Sequence, residues 1–484
     1  MLIGIAALII GYQVYGRFVE KVFGADAGRP TPAHTKTDGV DYVIMPSWKV
    51  FMIQFLNIAG TGPIFGAILG AMYGPSCYLW IVLGCIFGGA VHDYLSGMLS
   101  VRNEGKGLPD LVGKYLGGST RKVMLLFTEL LLLLVAAVFV YSPALILGDL
   151  TGGGDKSAIL IWVGIILCYY LIATLVPIDK LIGKIYPLFA IALIFMAVAL
   201  FACLVVKWPS NIPELWDGLQ NRNPSLGRVF PGLFITIACG AVSGFHATQS
   251  PLMARCIGNE RLGRPIFYGS MITEGIIALI WATVSSWFFF GGGNVEMGAV
   301  GVSAAPAVVT RVSRYWLGTF GSILAMLGVV AAPITSGDTA LRSARLMLAD
   351  ALHVDQQPIR NRLSVSIFLF IITGVLLVYN ILDAQGFNVI WGYFGWANQT
   401  LSIFTFWTLT VFLAKHREGK PYYFITLLPA CFMTAVCITF ILTAKIGFRI
   451  PQDYAPLIGA VTFALSAGLF FFLKHKKIDG NALA

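Results

Sequence analysis

Long runs of apolar residues recur along the whole chain and are separated by short polar connections. Most runs contain about 20 residues or more, which is enough for a helix to cross roughly 30 Å of bilayer hydrocarbon. The pattern predicts thirteen membrane-spanning helices, at residues 1–19, 47–73, 76–101, 121–148, 158–177, 185–206, 228–256, 266–290, 316–350, 361–380, 387–413, 420–445 and 455–474. The predicted fold class is therefore an all-α polytopic membrane protein surrounded by the lipid bilayer.

Basic residues are distributed unevenly between the two alternating sets of connections that these spans define. Roughly three-quarters of the 33 Lys and Arg residues fall in one set, and the bias keeps its direction along the chain. Because cytoplasmic connections are enriched in Lys and Arg, we expect the N-terminus outside and the C-terminus in the cytoplasm. Two polar stretches, 103–118 and 302–315, are too short to cross and are expected to lie in the interface or over a cavity.

The composition mainly excludes other classes of protein. Only 12% of the residues are charged and 57% are hydrophobic, whereas a soluble domain contains about 25% charged residues. Loop asymmetry explains the net charge of +10 without a nucleic acid partner. The eight cysteines have no metal-ligand spacing, the six histidines are scattered singly, and no GxxxxGK[ST] motif is present. The sequence thus predicts neither an enzyme nor a cofactor, apart from a coupling proton or sodium ion.

Two of the predicted spans contain helix-breaking residues at mid-membrane. One includes Gly60-Thr61-Gly62-Pro63, and the other includes a polar segment from Ser243 to Pro251. Non-helical backbone is tolerated there only against protein or a watery cavity, and paired interruptions in two halves of a chain point to a transporter binding site. Ordinary Gly or Pro kinks are the alternative. The predicted substrate-binding residues are Gly60, Thr61, Gly62, Ser243, Gly244, His246, Thr248 and Gln249.

The two interrupted spans lie five spans apart, so the second unit would be inverted relative to the first. Spans two to eleven then form a five-plus-five inverted-repeat core of the leucine-transporter type. This predicts an extra N-terminal helix and cytoplasmic loop at 1–46, a first five-helix repeat at 47–227, a second inverted repeat at 228–414, and two C-terminal helices with a cytoplasmic tail at 415–484.

Five longer segments carry a more specific resemblance. They read TDGVDYVIMPSWKVFMIQFLNIAGTGPIFGAILG, GGAVHDYLSGMLSVRNEGKGLPDLVGKYLG, ACGAVSGFHATQSP, TSGDTALRSARLMLAD and WGYFGWANQTLS. In this order they closely resemble the carbon starvation protein A (CstA) family, which is placed with the amino acid, polyamine and organocation transporters. The resemblance implies a plasma-membrane importer of peptides, or a proton symporter of pyruvate, that is induced under carbon limitation. It also implies the inverted-repeat core.

Ionisable residues inside the membrane are costly, so each is a functional candidate with a structural alternative. His92 and Asp93 in the third span are predicted to bind the coupling ion, although Asp93 could equally pair with a buried basic group or with backbone amides. His246 lies in the second break, where its ring could contact a ligand or a proton. The freed amides from Gly244 to Ala247 could hold a substrate carboxylate.

The ninth span supplies a second set of coupling-ion candidates, Thr335, Ser336 and Asp338. Their hydroxyls would face the first break, where freed carbonyls could complete an oxygen cage for sodium, or Asp338 could carry the coupling proton. The alternative is that Asp338 caps a helix or pairs with Arg342. The predicted sodium ligands come from Ile58, Ala59, Thr335 and Ser336.

Glu129 and Glu274 are weaker candidates, because snorkelling or helix pairing explains a carboxylate near the inner boundary. The sequence as a whole predicts a secondary active importer that couples peptides, or a small carboxylate such as pyruvate, to protons or sodium across the cytoplasmic membrane. A channel or a membrane nutrient sensor on the same fold is the alternative, because broken helices also build pores.

Overall fold

All regular secondary structure that the computed structural model describes is helical. It describes residues 1–39, 41–175, 178–223, 227–291, 305–356, 358–383, 385–417 and 419–481. The α-helices are α1 Leu2–Gln13, α2 Tyr15–Phe23, α3 Pro32–Thr35, α4 Ser47–Ile58, α5 Ala67–Ala71, α6 Ser76–Gly84, α7 Ala90–Arg102, α8 Leu108–Leu116, α9 Gly118–Gly152, α10 Lys156–Leu175, α11 Ile178–Lys207, α12 Val229–Thr236, α13 His246–Ala254, α14 Gly269–Phe290, α15 Ala305–Leu352, α16 Ile359–Leu382, α17 Gly386–His416, α18 Phe424–Thr443 and α19 Ala455–Asn481. Three π-helical turns and four 3₁₀ turns are Gly62–Gly66, Cys85–Gly89 and Arg264–Tyr268, and Leu215–Asp217, Glu260–Leu262, Pro421–Tyr423 and Gln452–Tyr454.

Ten helical stretches among these residues are long and apolar enough to cross a membrane. An eleventh is added if α4 and the bent segment that follows it, Gly62–Ala71, form one span. The remaining two predicted spans coincide with the broken pair α12 and α13 and with the 31-residue helix α17. The chain is thus a multi-pass membrane protein, while the number thirteen and the inverted repeat stay predictions.

Burial separates central helices from lipid-facing ones. In the span at Glu260–Phe290, 89% of the most apolar window is buried within the protein, against 11% in the span at Gln452–His475. The second of these has the higher mean hydropathy, 2.0 against 1.5. A soluble protein would bury its most apolar helix. Here the more apolar span is the less buried one, which indicates that α19 is solvated by lipid.

The first break is short and leads into a π-helical turn. α4 ends at Ile58, the chain passes through residues 59–61 without helical structure, and the axis bends by 53° before Gly62–Ala71. A methyl group on Gly62 would lie 2.4 Å from the Cβ and Sγ of Cys239, and one on Gly60 would lie 2.5 Å from the Phe139 ring. Glycine is therefore required here by close approach of other segments.

The second break lies earlier in the chain than the sequence predicts. Residues 237–245 are non-helical, and α13 begins at His246 with Pro251 inside it. The predicted break at Ser243–Pro251 is therefore wrong at its C-terminal side. The proline is accommodated in the helix, and the non-helical segment instead contains Gly240, whose φ of +91° is accessible to glycine.

The two breaks pack against each other. Besides the contact between Gly62 and Cys239, a methyl group on Gly66 would lie 2.9 Å from the carbonyl oxygen of Thr236, and one on Gly240 would lie 3.8 Å from the Cα of Pro63. The structure thus brings together two segments separated by about 180 positions in the sequence, as the paired interruptions predict.

The two predicted interfacial stretches have different outcomes. Residues 108–116 within 103–118 form the separate short helix α8. Residues 302–304 lie outside the described part of the chain, and residues 305–315 are joined to the ninth span in the long helix α15, which is interrupted at Gly318 with a φ of +68°. The second stretch is therefore part of a kinked helix, because glycine permits the change of direction without a loop.

Candidate functional site

Four fully buried ionisable side chains meet beside the second break. The Nδ1 atom of His246 lies 2.8 Å from Asp93 Oδ2, and its Nε2 lies 3.4 Å from Glu274 Oε2. The other oxygen of Asp93, Oδ1, lies 2.8 Å from His92 Nδ1. Each side chain is 0% exposed. We refer to His92, Asp93, His246 and Glu274 as the histidine–carboxylate cluster.

Small residues and π-helical turns bring three helices to this point. α7 carries His92 and Asp93 just after the π-turn Cys85–Gly89, α13 starts with His246, and α14 carries Glu274. A methyl group on Gly89 would lie 2.2 Å from the carbonyl oxygen of Ala241, and one on Gly275 would lie 2.7 Å from Cys85 Sγ. Close backbone approach therefore places the cluster directly against the unwound segment.

Glu274 is the main functional candidate that the sequence reasoning underestimated. Snorkelling toward the boundary is wrong for this residue, because its carboxylate is buried and contacts His246, whereas helix pairing, the other explanation offered, agrees with this contact. Position along a predicted span does not reveal which side of the helix faces the protein. The signal that could have identified it is its position five spans from Asp93 in the predicted repeat, but no local motif marks it.

The cluster can store protons, and one edge of it could also hold a metal ion. Buried charges persist when they are paired and hydrogen-bonded, and imidazole gains or loses its proton in the physiological pH range. Ligand atoms of Cys239, His246 and Glu274 lie within 4.8 Å of one another, a grouping that sequence spacing did not suggest. Thiolate, imidazole and carboxylate are ligands that zinc accepts. The imidazole–carboxylate contacts account for the same geometry with protons alone.

An asparagine side chain holds the end of the unwound segment. The Oδ1 atom of Asn398 on α17 accepts hydrogen bonds from the Phe245 amide at 2.6 Å and from Ser243 Oγ at 3.2 Å. The Ala247 amide donates to the carbonyl of Gly244 at 3.1 Å. Two of the amides predicted to cradle a substrate carboxylate are therefore already engaged within the chain, because the segment folds back on itself and on α17.

Buried polar atoms without a partner lie on α4, in the first break and on α13. Gln54 Nε2 lies 3.5 Å from Ser250 Oγ, which links the two helices. Within the described structure, no hydrogen bond is made by the side-chain oxygens of Gln54, Asn57, Thr61 and Gln249 or by the Asn57 amide nitrogen. Such groups in native proteins bond a ligand or water. Thr61 and Gln249 were predicted for this role, whereas Gln54 and Asn57 were missed although they precede Thr61 at helical spacing.

A second buried acidic centre lies on α15. Tyr186 on α11 donates its hydroxyl to Asp338 Oδ2 at 2.8 Å and approaches the Thr335 carbonyl at 3.0 Å. Ser336 Oγ donates to the Leu56 carbonyl at 2.9 Å, so this helix faces the first break as predicted. The capping alternative for Asp338 is wrong, since the residue lies inside α15 and not at its start. The sodium site at Ile58, Ala59, Thr335 and Ser336 stays a prediction.

A small cavity of about 40 Å³ lies between α8, α13 and α15. Its walls include Leu108, Thr248 and Ser343, and it extends to Asp350 and Arg121. The hydroxyl of Ser343 donates to the Thr248 carbonyl at 3.3 Å. This cavity is large enough for water and connects the polar loop side of the bundle with the first turn of α13, two residues from His246.

The chain matches a family model described as "Carbon starvation protein CstA" over residues 1–148, 153–315 and 290–440. It is 46% identical over 332 residues to an uncharacterized membrane protein of Haemophilus influenzae, covering 59% of this chain and 90% of that protein. It is 25% identical to the peptide transporter CstA of Escherichia coli K12, covering 91% of this chain and 81% of that protein.

A further relative is named for a different substrate. The pyruvate/proton symporter BtsT of Escherichia coli K12 is 26% identical over 343 residues, which cover 58% of this chain and 48% of that protein. The likeness to BtsT is thus confined to about half of its length.

The fold is similar to that of solved membrane transporters. A manganese transporter of Eremococcus coleocola, in complex with an aromatic bis-isothiourea substituted compound, superposes with a TM-score of 0.58 at 11% identity and covers 91% of this chain and 99% of that chain. A mutant of the same transporter gives a TM-score of 0.59 at 12% identity with the same coverage. At this identity the likeness concerns the fold alone.

Proposed function

The chain belongs to the carbon starvation protein CstA family, whose named relatives are membrane transporters, and we propose that it is a proton-coupled importer of a small carboxylate or a short peptide. The observation that carries the proposal is the contact between the histidine–carboxylate cluster and the unwound backbone. In a secondary transporter, proton coupling requires a group that gains or loses a proton at the point where the helices move.

The cluster meets this requirement because His246 is part of the cluster and is also the first residue of α13. Its imidazole bridges Asp93 and Glu274, and its backbone starts α13 immediately after the unwound segment. Any change in the number of protons held by the cluster alters the forces between α7, α13 and α14. Proton binding and the movement of α13 are therefore linked.

The substrate is expected to bind between α4 and α13. Among the unpartnered polar atoms there, the Asn57 amide nitrogen and the Thr61 hydroxyl can donate hydrogen bonds. The amide oxygens of Gln54, Asn57 and Gln249 can only accept them. A carboxylate, which pyruvate and the C-terminus of a peptide share, fits the two donors and the N-terminus of α13, which favours a negatively charged group. The cavity beside Thr248 is the expected route toward the cytoplasm.

The decisive experiment is uptake by the purified full-length chain in proteoliposomes. With an alkaline interior, radiolabelled pyruvate, alanine and dialanine are offered separately, with and without a protonophore. We expect uphill accumulation of at least one substrate that the protonophore abolishes. Parallel vesicles with only an inward sodium gradient test the other coupling ion. Equilibration without accumulation would indicate a channel, and accumulation driven by sodium alone would contradict proton coupling.

A matched pair of variants connects this activity with the cluster. Asp93→Asn removes the charge that joins His92 and His246, whereas Glu129→Gln removes a buried carboxylate on α9 that is not part of the cluster. We expect the Asp93 variant to keep substrate exchange between equal concentrations and to lose uphill accumulation. The Glu129 variant should retain both substrate exchange and uphill accumulation. If the two variants lose uphill accumulation equally, the cluster no longer supports the proposal of proton coupling.

A further inference from the structure

A large cavity lies against the two C-terminal helices, α18 and α19. It has a volume of about 1640 Å³ and is bounded by α8, the start of α9, α17, α18, α19 and the turn before α18. None of the residues that line it belongs to the histidine–carboxylate cluster or to the two breaks. We refer to this cavity as the C-terminal groove.

The length and lining of the groove match one leaflet of a bilayer. Its wall on α17 runs from Ile403 to Ala414, which at 1.5 Å per residue is about 16 Å, or half of the roughly 30 Å hydrocarbon thickness. Phe404, Trp407 and Phe470 supply much of the apolar surface. The groove is open toward lipid, since Leu469 on its rim is 59% exposed.

The groove wall is held in place by contacts between its own helices. The indole nitrogen of Trp407 donates to Thr434 Oγ1 on α18 at 3.2 Å. The Trp407 and Phe470 rings have centroids 6.1 Å apart, which connects α17 with α19. A preformed groove loses little conformational entropy when a ligand enters it.

One end of the groove is basic. Lys415, Lys420 and Lys474 line it there, and no acidic residue is present among the lining residues that the structure describes. The ammonium of Lys474 lies 3.9 Å from the centroid of the Tyr423 ring, which holds it on the groove wall. This end is the one that the distribution of basic residues predicts to be cytoplasmic. Basic pockets between membrane helices on that side are suited to anionic lipid head groups.

We propose that the C-terminal groove binds one anionic phospholipid. The acyl chains lie along Phe404, Trp407 and Phe470, and the phosphate lies among Lys415, Lys420 and Lys474. Charge complementarity at one end, combined with an apolar wall one leaflet long, selects this ligand over a soluble anion, which would leave the apolar wall uncovered, and over a zwitterionic lipid, which would add a positive charge beside the lysines.

The test measures lipid quenching of tryptophan fluorescence in the intact chain. Phosphatidylglycerol with brominated acyl chains is titrated into nanodiscs of phosphatidylcholine, and the same titration is made with brominated phosphatidylcholine. Comparison with Trp407→Phe isolates the signal of Trp407. We expect this signal to be quenched at much lower mole fractions of brominated phosphatidylglycerol. Equal quenching by the two lipids would overturn the proposal.

A charge-matched pair of triple variants tests the basic end. Replacement of Lys415, Lys420 and Lys474 by Gln should weaken the phosphatidylglycerol preference roughly a hundredfold. The control replaces three exposed lysines outside the groove, Lys21, Lys106 and Lys122, and should leave the preference unchanged. If both triple variants lose the phosphatidylglycerol preference equally, net charge alone sets that preference and the proposed site is contradicted.

A dimer that forms through this face would exclude lipid from the groove. Trp407 would then stay unquenched in the wild-type chain, which would also contradict the proposal.

Discussion

The two buried acidic centres of the bundle differ in what their carboxylates contact. Asp93 accepts hydrogen bonds from two imidazoles, one of which also meets Glu274, whereas Asp338 accepts one from the phenol of Tyr186. A phenol keeps its proton throughout the physiological pH range, but an imidazole does not. The comparison teaches that a carboxylate in the membrane is a coupling candidate when its partner can also change charge.

The largest expected effect is that of Asp93→Asn. The neutral amide leaves His246 without the carboxylate that lies 2.8 Å from its Nδ1, and breaking a buried ion pair costs on the order of 3–5 kcal/mol. We expect a lower melting temperature of the purified chain together with complete loss of pH-driven accumulation. Unchanged accumulation would show that the cluster is a structural feature of the core.

His246→Ala should have the next largest effect. It removes the bridge between Asp93 and Glu274, and a lost hydrogen bond to a charged group is worth about 1.5–3 kcal/mol. Because both ring nitrogens face carboxylates of the cluster, we expect a lower melting temperature of the purified chain and weaker pH-driven accumulation, with substrate exchange between equal concentrations retained. His246→Gln retains a donor and should recover part of the stability. Normal pH-driven accumulation in the alanine variant, at normal expression, would assign this histidine to packing.

Glu274→Gln should have a smaller effect, because its contact with His246 is longer, at 3.4 Å. Because this contact lacks hydrogen-bond geometry, we expect transport to continue. The dependence of uptake on pH should change, since one of the two carboxylates that favour the charged imidazole has been neutralised. Superimposable pH profiles of the wild-type and variant chains would exclude Glu274 from proton binding.

Asp338→Asn should have the smallest effect on coupling. The amide can still accept the Tyr186 hydroxyl, so we expect a modest loss of stability of about 1 kcal/mol, measured by thermal unfolding, and retained pH-driven accumulation. Tyr186→Phe serves as the control, since it removes the hydrogen bond that Asp338→Asn retains. Loss of accumulation in Asp338→Asn, but not in Tyr186→Phe, would return the coupling role to Asp338.

Much of the candidate site could be predicted because helix breakers are conspicuous inside apolar spans. Gly60, Gly62 and the polar segment around His246 were identified by their composition alone. The exact end of the second break was not, because Pro251 resembles a breaker in sequence but lies within α13. The non-helical segment instead contains Gly240, which has a positive φ and packs close to Pro63 of the first break.

The sequence by itself determined that the chain crosses a membrane many times, which two spans are interrupted and which family it resembles, because apolar run length and helix-breaking residues are local properties. Only the tertiary structure decided that Glu274 belongs with His246, that Asn398 holds the unwound segment and that Asp338 faces Tyr186. These pairings depend on helix rotation. In a span that is apolar on every side, hydrophobic periodicity does not fix that rotation, whereas close approach at Gly62, Gly89 and Gly275 does.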